Sequence, residues 1–165
     1  MEYYIAQLLS VVGCILLSIS CKQKTQRKVM IIQCSECTVT IIATLLLGGY
    51  TGALVTLIAL IRNIISAAGK SSKTSTIILI TTSVILSIIN ANTLLDILPA
   101  IASIEYTLAL YKNNVRVTKV AFAINAFLWT IYDITIGAWV YIIFNIINIA
   151  ICLYEVHNLR GSSTE

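Results

Sequence analysis

Residues 21–28 read CKQKTQRK, and the next forty, VMIIQCSECTVTIIATLLL (29–47), GG (48–49) and YTGALVTLIALIRNIISAA (50–68), hold one further basic residue, Arg62. As a single helix, 29–68 would be about 60 Å long, twice the hydrocarbon core of a bilayer. The paired glycines therefore mark a turn, and the stretch reads as two membrane spans that leave a basic loop and return to its side. The Gly48-x-x-x-Gly52 spacing straddles that turn and is read as part of it, not as a helix-packing motif.

The same rhythm continues along the chain. Apolar runs fall at 4–20, 29–47, 50–68, 75–89, 93–111, 117–136 and 138–156, with the fourth the shortest. Most are about 17 to 20 residues, enough to cross the hydrocarbon core as helix. Ten of the eleven Lys and Arg residues lie in alternate breaks: Lys22, Lys24, Arg27 and Lys28; Lys70 and Lys73; Lys112, Arg116 and Lys119; and Arg160 after the last run. The breaks around Gly48-Gly49, 90–96 and 133–137 hold none. Basic loops stay on the cytoplasmic side, so this alternation predicts N-terminus out and C-terminus in. Tyr3, Tyr4, Tyr50, Tyr132 and Trp139 fall near the outer boundary, Tyr111 and Tyr154 near the inner one, as an aromatic belt does.

Composition agrees with an all-α polytopic membrane protein. The chain is 58% hydrophobic and 11% charged, with one proline and a mean hydropathy of +0.92. The formal charge of +4 resides in short inter-helix loops, so no basic face for nucleic acid is expected. Glu2 stands where a signal peptide would carry a basic segment, so the first run is expected to remain as a helix. No metalloprotease, nucleophile-elbow or glycine-rich phosphate motif occurs, and the loops are too short for a catalytic domain; no enzyme activity, metal or cofactor is expected.

The seven runs divide as three, one and three, within a single domain, 1–165. A first repeat (4–68) and a second (93–156) flank a linker helix (75–89), and a short cytoplasmic tail (157–165) follows. Tyr50-Thr51-Gly52-Ala53-Leu54 aligns with Ile136-Gly137-Ala138-Trp139-Val140, and loop 22–28 with loop 112–119. One linker helix restores the direction of the second triple, so the repeats are expected to be parallel, a plan that places a transport site between them near mid-depth. Because one chain holds both, a homodimer is compatible but not required.

Ionisable residues within spans cost about 2.5–3.5 kcal/mol each at the helix centre and mark function by default. Three occur: Glu36, Arg62 and Glu105, each six to eight residues from the basic end of its span. That puts them at one depth, about 10 Å from the boundary. Asn125 and Asn148 fall near the same level, and Asn145 one turn further out. Gln33, Glu36 and Thr40 share a helix face; so do Asn125, Trp129 and Tyr132 or Asp133, and Tyr141, Asn145 and Asn148. Such stripes turn inward, which predicts a polar cavity narrowest at the Glu/Arg layer and lined above it by Trp129, Asn145 and Tyr141. Glu36 or Glu105, whichever Arg62 leaves unpaired, is the expected proton carrier or gate. The structural alternative is a Glu36–Arg62 ion pair with asparagines bonding helix to helix. Cys14, Cys21, Cys34, Cys37 and Cys152 read as small packing residues, because the Cys34-x-x-Cys37 pair lies within a span and too few further metal ligands accompany it. His157 reads as solvated.

Several short motifs carry a resemblance. Ala6-Gln7, Leu47-Gly48 with Tyr50 and the run to Ile61-Arg62, Leu98-Pro99-Ala100-Ile101-Ala102-Ser103, Trp129-Thr130-Ile131-Tyr132-Asp133 with Gly137, and Asn145-Ile146-Ile147-Asn148 resemble the bacterial inner-membrane YgjV family across nearly the whole chain. The resemblance implies a multi-pass protein of the bacterial inner membrane, with the lipid bilayer as partner, and implies no reaction. More distantly, the three-one-three plan is similar to PQ-loop and SWEET transporters, whose Pro-Gln pairs are half kept here as Ala6-Gln7 and Pro99-Ala100. That similarity implies a hinge at Pro99 and a solute site at Asn63, Trp129, Asn145 and Asn148. Arg62 departs from the sugar-binding pattern and suits an anionic or zwitterionic solute. The expected function is a transporter of a small polar solute, proton-linked, with Arg62 binding charge and Glu36 and Glu105 gating. The alternatives are a non-transporting receptor or accessory protein on the same fold, and, more remotely, a membrane thiol enzyme using Cys34 and Cys37.

Overall fold

The computed structural model describes residues 2–112 and 114–161, with side chains as far as Asn158. Seven helices follow one another: α1 (Glu2–Cys21), α2 (Gln26–Leu46), α3 (Tyr50–Ala67), α4 (Lys73–Asn90), α5 (Leu98–Tyr111), α6 (Val115–Thr135) and α7 (Trp139–Gly161). A 3-10 turn, Leu94–Ile97, leads into α5, and there is no strand among the described residues. All seven segments, counting Leu94–Tyr111 as one, are long and apolar enough to cross a membrane. The expected basic Arg160 side chain and residues 162–165 of the expected tail lie outside the described part.

Local chemistry sets the ends. Gly48 (φ +79°) and Gly137 (φ +67°) sit in the tight turns α2–α3 and α6–α7, in a backbone region that favours glycine. Ser72 and Ser75 bond reciprocally in a capping box, which starts α4 at Lys73, two residues before the run predicted from the sequence. The fifth span is instead the interrupted one. Asp96 accepts from the Thr93 backbone N–H (2.8 Å) and holds a 3-10 turn ahead of Pro99. Proline at the first turn of α5 forfeits no helical hydrogen bond.

The third basic loop is shorter than expected. The Asn114 side chain caps Arg116 and Val117 and begins α6 early, which carries Lys119 into the bundle wall, 4% exposed. Its Nζ donates to the Cys21 carbonyl (2.8 Å) and pairs with Glu155 (3.2 Å). A cation is well placed there, because the last carbonyls of a helix carry partial negative charge.

The helices α1, α2 and α3 pack in series, as do α5, α6 and α7. Two seams join the triples, α1 against α7 and α3 against α5, while α4 lies outside against α3 and α5. Isoleucines face outward on every helix, among them Ile15, Ile42, Ile64, Ile88, Ile101, Ile124 and Ile146, as lipid requires. The α1–α7 seam is polar: the Gln7 amide donates to Gly137 O (3.2 Å) and accepts from Val140 N (3.4 Å), and Ser18 donates to Asn148 Oδ1 (2.7 Å). Gln7 thus satisfies one of the free N–H groups at the start of α7.

Candidate functional site

The interior of the bundle holds a cavity of about 100 Å³, with walls from α1, α2, α3, α5, α6 and α7. Its lining runs from Gln33 to Thr44 on α2, Val55 to Asn63 on α3 and Phe122 to Asp133 on α6. At 1.5 Å per residue these stretches measure about 12 to 16 Å, so the cavity is long along the helices and narrow across them. The end nearest the loops 22–25 and 69–72 is the basic end, and the end nearest Gly48 and Gly137 the glycine end.

Arg62 forms the wall toward the basic end. It is 7% exposed, its Nε donates to Asn63 Oδ1 (3.2 Å) and its Nη1 to Thr107 Oγ1 (3.3 Å). The guanidinium carbon stands 4.7 Å from the centre of the Tyr106 ring, a cation–π contact. Nη2 has no protein acceptor among the described residues. The structural alternative of a Glu36–Arg62 ion pair is not what forms: Lys119–Glu155 is the ion pair found among the described residues. Asn63 and Thr107 already take up the guanidinium, and the Glu36 carboxylate is engaged elsewhere.

Glu36 is buried and points along its own helix. One oxygen accepts from Thr40 Oγ1 (2.7 Å), the other from the Cys37 thiol (3.4 Å). Thr40 in turn accepts from the Tyr141 hydroxyl (3.0 Å), so a chain of hydroxyls joins α7 to the carboxylate. A hydrogen in place of a side chain at Gly13 leaves room for that chain: a Cβ there would stand 3.2 Å from Thr40 Oγ1 and 3.3 Å from the Tyr141 oxygen. Tyr106 also exchanges hydrogen bonds with Gln33 (3.2 Å) below Arg62 and packs edge-on against Phe122, which narrows the cavity toward the basic end.

At the glycine end stands a group that the sequence reading placed at the edge of a break and, as an alternative to Tyr132, on the inward stripe of the sixth span. Asp133 is 3% exposed and lines the cavity, accepting from Asn145 Nδ2 (3.0 Å) through one oxygen. Beside it, Tyr132 is 1% exposed and stacks edge-on with Trp129. The Tyr132 hydroxyl accepts from Gly52 N (3.1 Å) across the bundle. A Cβ on Gly52 would lie 2.7 Å from that ring, so this glycine permits a close approach of α6 to α3. The reading of Gly48 and Gly52 as one turn holds for Gly48; Gly52 lies within α3 and is a packing position.

Of the eight residues singled out from the sequence, Glu36, Arg62, Asn63, Trp129 and Asn145 line this cavity. Asn125 does as well, while bonding to Ala102 O of α5 (2.8 Å) as an inter-helix asparagine would. The other three stand outside the lining. Asn148 is sealed between α7 and α1 with Ser18, Glu105 is half-buried with one oxygen lacking a partner, and Pro99 opens α5. Neither Glu36 nor Glu105 makes an ion-pair contact with Arg62. Asp133, Gln33, Tyr106 and Thr40 were the less visible members. Gln33, Thr40 and Asp133 had a signal in the polar stripes on α2 and α6, which give a face but no facing partner; Tyr106, on α5, had none. Cys37 is buried against Glu36 and Asn63, and the five cysteines are free. Among the described residues, no three His, Cys, Asp or Glu side chains gather as a metal site.

A buried arginine, two buried carboxylates and a belt of hydroxyls and amides inside a seven-helix bundle define a polar chamber in an apolar shell. No curated protein and no solved structure matches the chain. The family model described as a bacterial inner membrane protein, Imp-YgjV, matches residues 4–162, and the chain is thus a multi-pass inner-membrane protein belonging to that family.

Proposed function

We propose that this protein transports a small polar solute, anionic or zwitterionic, across the inner membrane with linked proton movement. The observation that carries the reading is Arg62: a guanidinium in the cavity wall, deep in a span, with Nη2 free and no ion-pair contact. A fixed charge at that depth is retained at a cost that a bound solute can offset. Asn63, Trp129 and Asn145 face the solute, and Asn148 positions the α1–α7 wall through Ser18. Glu36 is the proton carrier, reached through Tyr141 and Thr40, while Glu105 tunes Arg62 through space. Pro99 is the flexible point, at a helix start where dihedrals can change without breaking the helical ladder.

The packing order supports two parallel repeats. A two-fold axis along the membrane normal would exchange α1–α3 with α5–α7, and with them the α3–α5 and α7–α1 seams, leaving α4 as the linker. The basic loops support an outward N-terminus and a cytoplasmic C-terminus. The test is reconstitution into lipid vesicles with labelled amino acids and organic acids. Uptake above empty vesicles, absent in Arg62→Ala, is the expected result. Stoichiometric binding without uptake would instead mark a receptor or accessory protein.

A further inference from the structure

The two ends of the cavity carry opposite charge, and their separation constrains what fits between them. Arg62 lies twelve residues into α3 from Tyr50 at the glycine end, about 18 Å along the helix, and Asp133 lies two residues from the same end of α6, about 3 Å in. Side chains tilt toward the start of their helix. Asp133, on a helix that starts at the basic end, leans into the cavity, while Arg62 is held near its own level by Asn63 and by Thr107 of α5, so the charged heads stand on the order of 10–15 Å apart. Neither is paired with a protein countercharge. Asp133 is held by Asn145 alone among the side-chain donors described, and Arg62 by two neutral acceptors. An uncompensated carboxylate in a water-poor site is costly, and a cation brought by the ligand relieves that cost. Trp129 beside it offers an aromatic face of the kind that favours such a cation.

Resting on the reading of this cavity as a solute site, we propose that the solute is a linear zwitterion, with its ammonium group on Asp133 and its carboxylate on Arg62. Allowing a hydrogen-bonded contact at each end, about 2.8 Å, the solute's own charges must lie on the order of 5–9 Å apart. That separation excludes the α-amino acids, whose ammonium and carboxylate are bound to one carbon, and matches ω-amino acids with three to five methylenes. The charges also balance. With Glu36 carrying its proton, Arg62 and Asp133 cancel, and a zwitterion adds no net charge to the membrane interior.

Calorimetry or thermal shift on the detergent-purified full chain tests this with four probes: γ-aminobutyrate, ε-aminocaproate, glycine and butyrate. The two long zwitterions are expected to bind at least tenfold more tightly than glycine or butyrate, and Asp133→Asn to abolish that preference. Equal binding of glycine, equal binding of butyrate, or no binding by either long zwitterion overturns the proposal. So does an Asp133→Asn protein that still prefers the long zwitterions. Should that variant fail to fold, the ranking on the unmodified protein decides alone. Binding by long zwitterions without vesicle uptake would support this proposal and sink the transport reading. Uptake of butyrate with indifference to the ammonium group would do the reverse.

Discussion

The two ends of the cavity are built on opposite terms. Toward the basic end, the charge is well surrounded: Arg62 has Asn63, Thr107 and the Tyr106 face in contact. Toward the glycine end, charge is sparse, with Asp133 and a single amide partner, and the helices themselves come close where Tyr132 meets Gly52. A charge already surrounded by dipoles can exchange one partner for a solute at little penalty. A charge with one partner gains most from a ligand of opposite sign. Under the proposed function, the basic end governs whether a solute is held at all, and the glycine end governs which one.

The largest expected effect comes from Arg62→Ala, which should remove solute binding and uptake while the protein still inserts and keeps its helical circular dichroism. A variant that loses only thermal stability would make the basic end structural and erase the contrast. Next, Gly52→Ala forces a Cβ into the Tyr132 ring and should lower stability in detergent by about 1–3 kcal/mol, as overpacking does. Tyr132→Ala in the same chain should relieve the clash, read as a partial recovery of the denaturation midpoint. Thr40→Val should cut the hydroxyl chain to Glu36; the lost bond is worth about 1 kcal/mol in stability. In vesicles it should reduce proton movement accompanying uptake more than it reduces solute binding. The smallest effect belongs to Glu105→Gln. That side chain lies off the cavity, so solute affinity should change by less than Glu36→Gln changes it in the same calorimetric assay.

What could be read in advance follows from the dimension that a sequence reports. The count of helices and their turns was legible, because apolar length and paired glycines or basic loops are local signals. The boundary of the fifth span was not, since the Thr93–Asp96 turn depends on a side chain folding back onto its own backbone. Depth was legible for Glu36 and Arg62, both of which line the cavity. Direction around the helix was less so. Glu105 shares their depth and stands outside the lining, and Asn148, three residues from Asn145, faces α1 instead of the cavity. Asp133 had two readings, the edge of a break beside Gly137 and, as an alternative to Tyr132, the inward stripe of its span; the structure puts it in the cavity lining. It shares a face of α6 with Asn125 and Trp129, and all three line the chamber. Lys119 was a loop residue by count and is a wall residue by the early start of α6.

The Gln7 amide has a meaning for how the molecule is made. Its partners at Gly137 and Val140 are 130 and 133 residues later in the chain. During synthesis α1 enters the bilayer first and waits, its glutamine and Ser18 without their final partners, until the last helix leaves the ribosome. The seam that closes the ring is thus the last to form, and a nascent chain halted before α7 exposes an unpaired amide to lipid. Such intermediates are natural clients for membrane quality control, and the time α1 spends alone is set by translation, not by folding.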